Sequence, residues 1–170
     1  SQQVSIDNVN WAASLTISAS GIYTVYARFT DNAGNTSTTT RSVSVDVTNP
    51  TVIFNTPAPD GSNGWFRSAV TVSAGGTDAH SGVNSQQVSL DNAAWSSSVT
   101  VSGDGNYMVY ARVTDNAGNV ANASRTIGID STPPLTGFSL LAPDGSNGWY
   151  VHPVMATPSG SDATSGVASQ

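Results

Sequence analysis

Most of the charged side chains here are carboxylates. The 170-residue chain has eleven acidic residues, all aspartate, with five arginines, two histidines and no cysteine. Ten of the eleven aspartates form pairs 84 residues apart: Asp7/Asp91, Asp31/Asp115, Asp46/Asp130, Asp60/Asp144 and Asp78/Asp162, leaving Asp104 alone. Carboxylates at recurring positions can serve as general acids or bases, or as hard oxygen ligands for a cation. The first use finds no partners. At the same offset His80 corresponds to Thr164 and His152 to Ser68, so neither imidazole recurs. No Ser-His-Asp order with a nucleophile elbow is visible, and thiolate chemistry is excluded. Aspartates beside Gly, Asn and turns are most simply turn-formers, and the chain reads as no enzyme. What remains open is calcium.

The elements that must position these carboxylates are strands. Tyr107-Met108-Val109-Tyr110-Ala111-Arg112-Val113-Thr114 alternates and runs into the turn Asp115-Asn116-Ala117-Gly118-Asn119. Tyr107, Val109, Ala111 and Val113 share one face, and Met108, Tyr110, Arg112 and Thr114 the other. The stretch from Tyr23 to Asn35 repeats this pattern, and the 84-residue offset runs ungapped along the chain, carrying Trp11 to Trp95 and Trp65 to Trp149. Further strands are expected at Gln3–Ile6, Ser14–Ile17, Val52–Phe54, Ala69–Ser73, Gln87–Leu90, Ser98–Val101 and Ala121–Ile129, with turn signals every 8–12 residues. The fold class is all-β, in tandem sandwiches.

Pro50 and Pro133-Pro134 mark two joints. They divide the chain into 1–49, the C-terminal part of one repeat, 50–133, a complete repeat, and 134–170, the N-terminal part of the next. Ser169-Gln170 repeats Ser1-Gln2 at twice the period. The chain thus reads as a window on a longer repeat, or as a unit whose tail completes the head of the next copy. Either suits a rod or filament. Only 9% of residues are charged, with a net charge of −6 and no Lys. That excludes a basic nucleic-acid footprint and a polybasic membrane anchor. No apolar run is long enough to span a membrane, so no membrane insertion is expected of this segment.

The pattern Ser81-Gly82-Val83, Val88-Ser89-Leu90-Asp91-Asn92, Trp95, Gly105-Asn106-Tyr107, Ala111 through Asn119, Ile129-Asp130 and Pro133-Pro134 resembles the bacterial immunoglobulin-like repeats of large surface adhesins and secreted cell-wall proteins. The resemblance covers essentially the whole chain and implies an Ig-like sandwich, extracellular export to the cell surface, and a spacer or adhesive role.

In such a sandwich, loops gather at two poles. The loop Thr77–Gly82 and the turn Asp115–Asn119 should meet where the preceding unit enters, bringing Asp46. Asp46, Asp78, Asp115, Asn116 and backbone carbonyls would then offer Ca²⁺ its six to eight oxygens. Against this stand the ordinary turn and strand-end roles of the same residues, and no Asp-x-Asp-x-Asp-Gly loop is present. Trp65 and Trp149, each beside a second aromatic, are candidates for contact with a glycan or with the neighbouring unit. The simpler reading is that each Trp covers the end of its own core or packs on the next unit. Trp11 and Trp95 read as core lids. Tyr23 and Tyr107 suit a tyrosine corner. Arg112 could stack on Tyr110 or meet a neighbouring copy. Asn35-Thr36-Ser37 and Asn122-Ala123-Ser124 fit the glycosylation sequon.

The function expected is structural: a repeat segment of an extracellular bacterial filament, sheath or adhesin stalk, whose partner is itself, head to tail and side to side. The alternative is an Ig-like carbohydrate-binding or spacer module of a secreted carbohydrate-active protein, touching surface glycans.

Overall fold

The computed structural model describes residues 1–168; Ser169 and Gln170, which match Ser1 and Gln2 in sequence, lie outside the described residues. Among the described residues there are eleven strands and no α-helix. The first three, β1 (Gln2–Ser5), β2 (Gly21–Thr30) and β3 (Thr36–Val45), form one antiparallel sheet in that order. The next six are β4 (Ile53–Asn55), β5 (Val70–Gly75), β6 (Val83–Ser89), β7 (Ser98–Val101), β8 (Gly105–Asp115) and β9 (Val120–Ile129). They make two sheets, β4-β5-β7 and β6-β8-β9. Finally β10 (Leu135–Ser139) and β11 (Thr157–Ser161) pair as a two-stranded sheet.

The two central sheets enclose a core that each supplies by alternation. Val70, Val72, Ala74 and Val101 come from one sheet and Val88, Val109, Ala111, Ile127 and Ile129 from the other, joined by Phe66, which bridges to Ile129 beside β9. On β8 the expected inner face holds: Val109, Ala111 and Val113 are fully buried, while Tyr110, Arg112 and Thr114 are only partly covered. This is an Ig-like β-sandwich. Tyr107 closes it as a tyrosine corner, its hydroxyl donating to the carbonyls of Ser102 (2.9 Å) and Gly103 (3.3 Å). Tyr23 does the same to Ala19 at 3.0 Å.

The flanking sheets repeat the central registers. Gln3 faces Arg28 as Gln87 faces Arg112, and Phe138 faces Pro158 as Phe54 faces Ala74. One expected strand is missing. Ser14–Ile17 is not in a strand, although the equivalent Ser98–Val101 is β7. The reason is a missing neighbour: β7 exists by pairing with β5, and among the described residues no β5-type strand lies beside Ser14–Ile17.

Candidate functional site

The joint ahead of the central sandwich gathers three separate pieces of chain. Asp46 follows β3, Asp78 lies in the loop after β5, and Asp115 ends β8. One carboxylate oxygen of each lies within 4.8 Å of the others. Ca²⁺ holds oxygens at about 2.4 Å, so ligands on opposite sides of an ion sit about 4.8 Å apart, and the spacing is compatible.

Each carboxylate also has a structural duty. Asp115 Oδ1 accepts the N–H groups of Gly118 (2.7 Å) and Asn119 (2.8 Å), and its Oδ2 accepts the Asn119 amide at 2.7 Å. Asp31, at the equivalent turn, accepts the same two bonds from Asn35. The difference is burial: Asp115 is fully buried at the joint, whereas Asp31 is exposed. Asp78 Oδ1 accepts the N–H groups of His80, Ser81 and Gly82, organising its loop. Asp46 is the residue that crosses. Its Oδ2 accepts the Ser81 N–H at 3.0 Å and its Oδ1 accepts the Thr48 N–H at 3.0 Å. Bonds from Ser81 and then Thr48 lower its pKa to about 2.

Asn116, expected among the metal ligands, is placed as a staple. Its amide nitrogen donates to the carbonyls of Ser81 (2.8 Å) and Gly82 (3.2 Å), tying the turn to the Asp78 loop. Two joint residues were not singled out by the sequence. Ser81 supplies the N–H to Asp46, and the Asn119 amide bridges Asp115 to the Asp46 carbonyl at 3.1 Å. Their recurrence as Ser165 and Asn35 was the available signal.

The second joint repeats the Asp46 and Asp78 bonds of the first. Asp130 Oδ2 accepts the Ser165 N–H at 3.0 Å, and Asp162 Oδ1 accepts the N–H groups of Thr164, Ser165 and Gly166. Asp104, the unpaired aspartate, occupies the place of Ser20. Ser20 Oγ accepts the Val47 N–H, and Asp104 Oδ1 accepts the N–H of the equivalent Ser131.

The aromatic candidates separate by context. Trp65 packs over Gly128 and borders the second joint beside Thr132, Pro133 and Gly166. Trp149 is 75% exposed. Arg112 stacks on Trp95, 4.3 Å from its ring centre, and not on Tyr110. The Ser89–Asp91 turn and the Val88–Ser96 bridge bring Trp95 onto the outer face, so it is no core lid. Gln87, directly opposite, accepts from the guanidinium at 2.9 Å. Arg28, Trp11 and Gln3 reproduce the arrangement.

No helix among the described residues is long and apolar enough to cross a membrane. No curated protein matches the chain. A family model described as a bacterial Ig-like domain matches residues 1–47 and 62–131, more than half of the length. Domains of this family are often found outside the cell or at its surface and are typically non-enzymatic. With the sandwich and its tyrosine corner, that match establishes that the chain belongs to the bacterial immunoglobulin-like domain family.

Proposed function

We propose that the chain is a structural repeat segment of an extracellular bacterial filament, sheath or adhesin stalk, divided into units at 49/50 and 133/134. The reading is carried by the recurrence of one clasp. Asp46 meets Ser81 and Asp130 meets Ser165, each at 3.0 Å and each 35 residues apart. Equal contacts at successive joints set equal angles between successive units, which is the condition for a straight or regularly wound array. Few charges and many Ser and Thr side chains keep mutual repulsion low, so that neighbouring arrays can pack side by side. Small-angle scattering on the whole chain tests this. The native chain should behave as one rigid body, and Asp46→Ala with Asn119→Ala should scatter as a flexible ensemble. A native chain that is already flexible overturns it.

The Asp46, Asp78 and Asp115 cluster adds calcium to the proposal. Three carboxylates meet there around a buried group, and among the described residues no Lys, Arg or His forms an ion pair with them. A divalent cation would offset that charge and tie three segments together. Melting in calcium and in chelator decides it: a higher Tm with calcium, lost in Asp78→Asn, is expected, and identical curves reject the metal.

A further inference from the structure

The second joint encloses a cavity of about 560 Å³ with Trp65 in its wall. That volume lies within the range of about 300–1,000 Å³ usual for small-ligand sites, and clefts between units are where such sites tend to form. The indole is held in place. It lies on the backbone of Gly128. The loop before it is closed by the Gly61 N–H donating to the Trp65 carbonyl (2.9 Å) and the Trp65 N–H donating to that of Ser62 (3.1 Å). Asn63 and Gly64 complete this tight turn in the left-handed region, at φ 54° and 83°. The Arg67 N–H then donates to Asp60 Oδ1 at 2.7 Å, fastening the end of the loop.

A second wall comes from the linker, where Asp104 fixes two hydroxyls. Its Oδ1 accepts the Ser131 N–H (2.8 Å) and hydroxyl (2.7 Å), and its Oδ2 accepts the Thr132 hydroxyl at 2.5 Å. Each hydroxyl gives its one proton to the carboxylate, so its oxygen is left as an acceptor. The Ser62 hydroxyl and the Asn63 amide, both exposed, add donors from the loop. Arg67 and Asp130 put one charge of each sign in the lining, which suits a neutral ligand. Closing a joint does not require this polarity: at the first joint Ser20 and Val47 stand where the second has Asp104 and Ser131.

From an anchored indole ringed by hydroxyl and amide groups, we infer that this cavity binds a neutral, β-linked oligosaccharide of gluco-type pyranose rings. Such a ring has equatorial hydroxyls and axial C–H bonds. Its faces are therefore apolar enough to stack on an indole, while its rim exchanges hydrogen bonds with the Ser131 and Thr132 oxygens and the Asn63 amide. Because the loop is closed and the indole seated before any ligand arrives, little conformational entropy is lost on binding. The inference is independent of the filament reading, since a repeat that holds a reach can carry this site or lack it.

The four tryptophans supply the test within one chain. Cellotetraose and chitotetraose, which share the ring and differ at C2, are titrated into the nitrogen-15-labelled chain while the indole N–H signals are followed by NMR. The Trp65 signal, assigned by its absence in Trp65→Phe, should shift and saturate with at least one of them. Trp149 follows the same Asp-Gly-Ser-Asn-Gly sequence but is 75% exposed, and Trp11 and Trp95 lie under Arg28 and Arg112; these three signals should stay in place. Asn63→Gly keeps the left-handed turn and removes the amide, and it should weaken binding about tenfold, the equivalent of one good hydrogen bond. Asp104→Ser, which installs the residue of the first joint, should weaken binding while the other amide signals keep their positions. No shift with either sugar overturns the inference. So does a Trp149 shift as large as that of Trp65, which would mean stacking on any exposed indole, and so does binding that neither Asn63→Gly nor Asp104→Ser alters.

Discussion

Asp46, just after β3, accepts the backbone N–H of Ser81 on its Oδ2 at 3.0 Å, linking the leading sheet to the loop that follows β5. A carboxylate rather than a neutral acceptor matters here, because an ionised oxygen makes a shorter and stronger bond to a backbone N–H. The same charge makes the joint sensitive to acid.

Asp46 titrates at about 2 in the folded chain, against an ordinary value of 3.8. With a folded value below the unfolded one, its contribution is present above about pH 4 and disappears as pH falls through 2. The Ser81 amide, followed by NMR, should shift with a midpoint near 2. In Asp46→Asn that transition should be absent, and its persistence would assign it to another group.

Ile127 and Val43 hold equivalent positions in β9 and β3, but among the described residues only Ile127 has a facing sheet. Ile127→Ala should cost about 2–5 kcal/mol in urea unfolding of the central sandwich. Val43→Ala should cost well under that in dilute solution, since its surroundings are already open to water. Equal losses would mean that another segment covers the inner face of the leading sheet.

Tyr107→Phe removes one hydroxyl and leaves the ring in place. The carbonyls of Ser102 and Gly103 lose a donor near the surface, where water can replace it. A loss of about 1 kcal/mol is expected, with the near-UV spectrum retained. A loss of several times that would give the corner a larger part in holding the sandwich than its two bonds explain.

Gly128 lies beneath Trp65, and a Cβ there would meet the indole at 2.8 Å. Gly128→Ala should therefore lift the ring, costing about 1–3 kcal/mol, the usual range for overpacking. Acrylamide quenching of tryptophan fluorescence should rise with it. Unchanged quenching would mean that the backbone yields instead of the ring.

Much of the fold was legible because alternation acts locally. The inner face of β8, from Tyr107 to Val113, follows from period two, and the 84-residue offset carries that face to Tyr23 through Phe29. Asp7, Asp31, Asp91 and Asp115 were readable as turn-formers because they bond to backbone only a few residues away.

Other features required the tertiary structure, because they depend on which neighbour stands alongside. Alternation puts Arg112 on the outer face of β8, but only the sheet register and the folded Asp91 turn set Trp95 beneath it in place of Tyr110. Ser14–Ile17 and Ser98–Val101 read alike, yet only the second is a strand, since ladder hydrogen bonds come from the adjacent strand and not from the segment itself. The sequence by itself determined the repeat, the strands that have their partners, and the two apolar faces. Tertiary packing decided that Asp46, Asp78 and Asp115 converge and that Ser81 and Asn119 close the joint. Burial and cross-joint hydrogen bonding are relations between distant segments, and local periodicity carries no information about them.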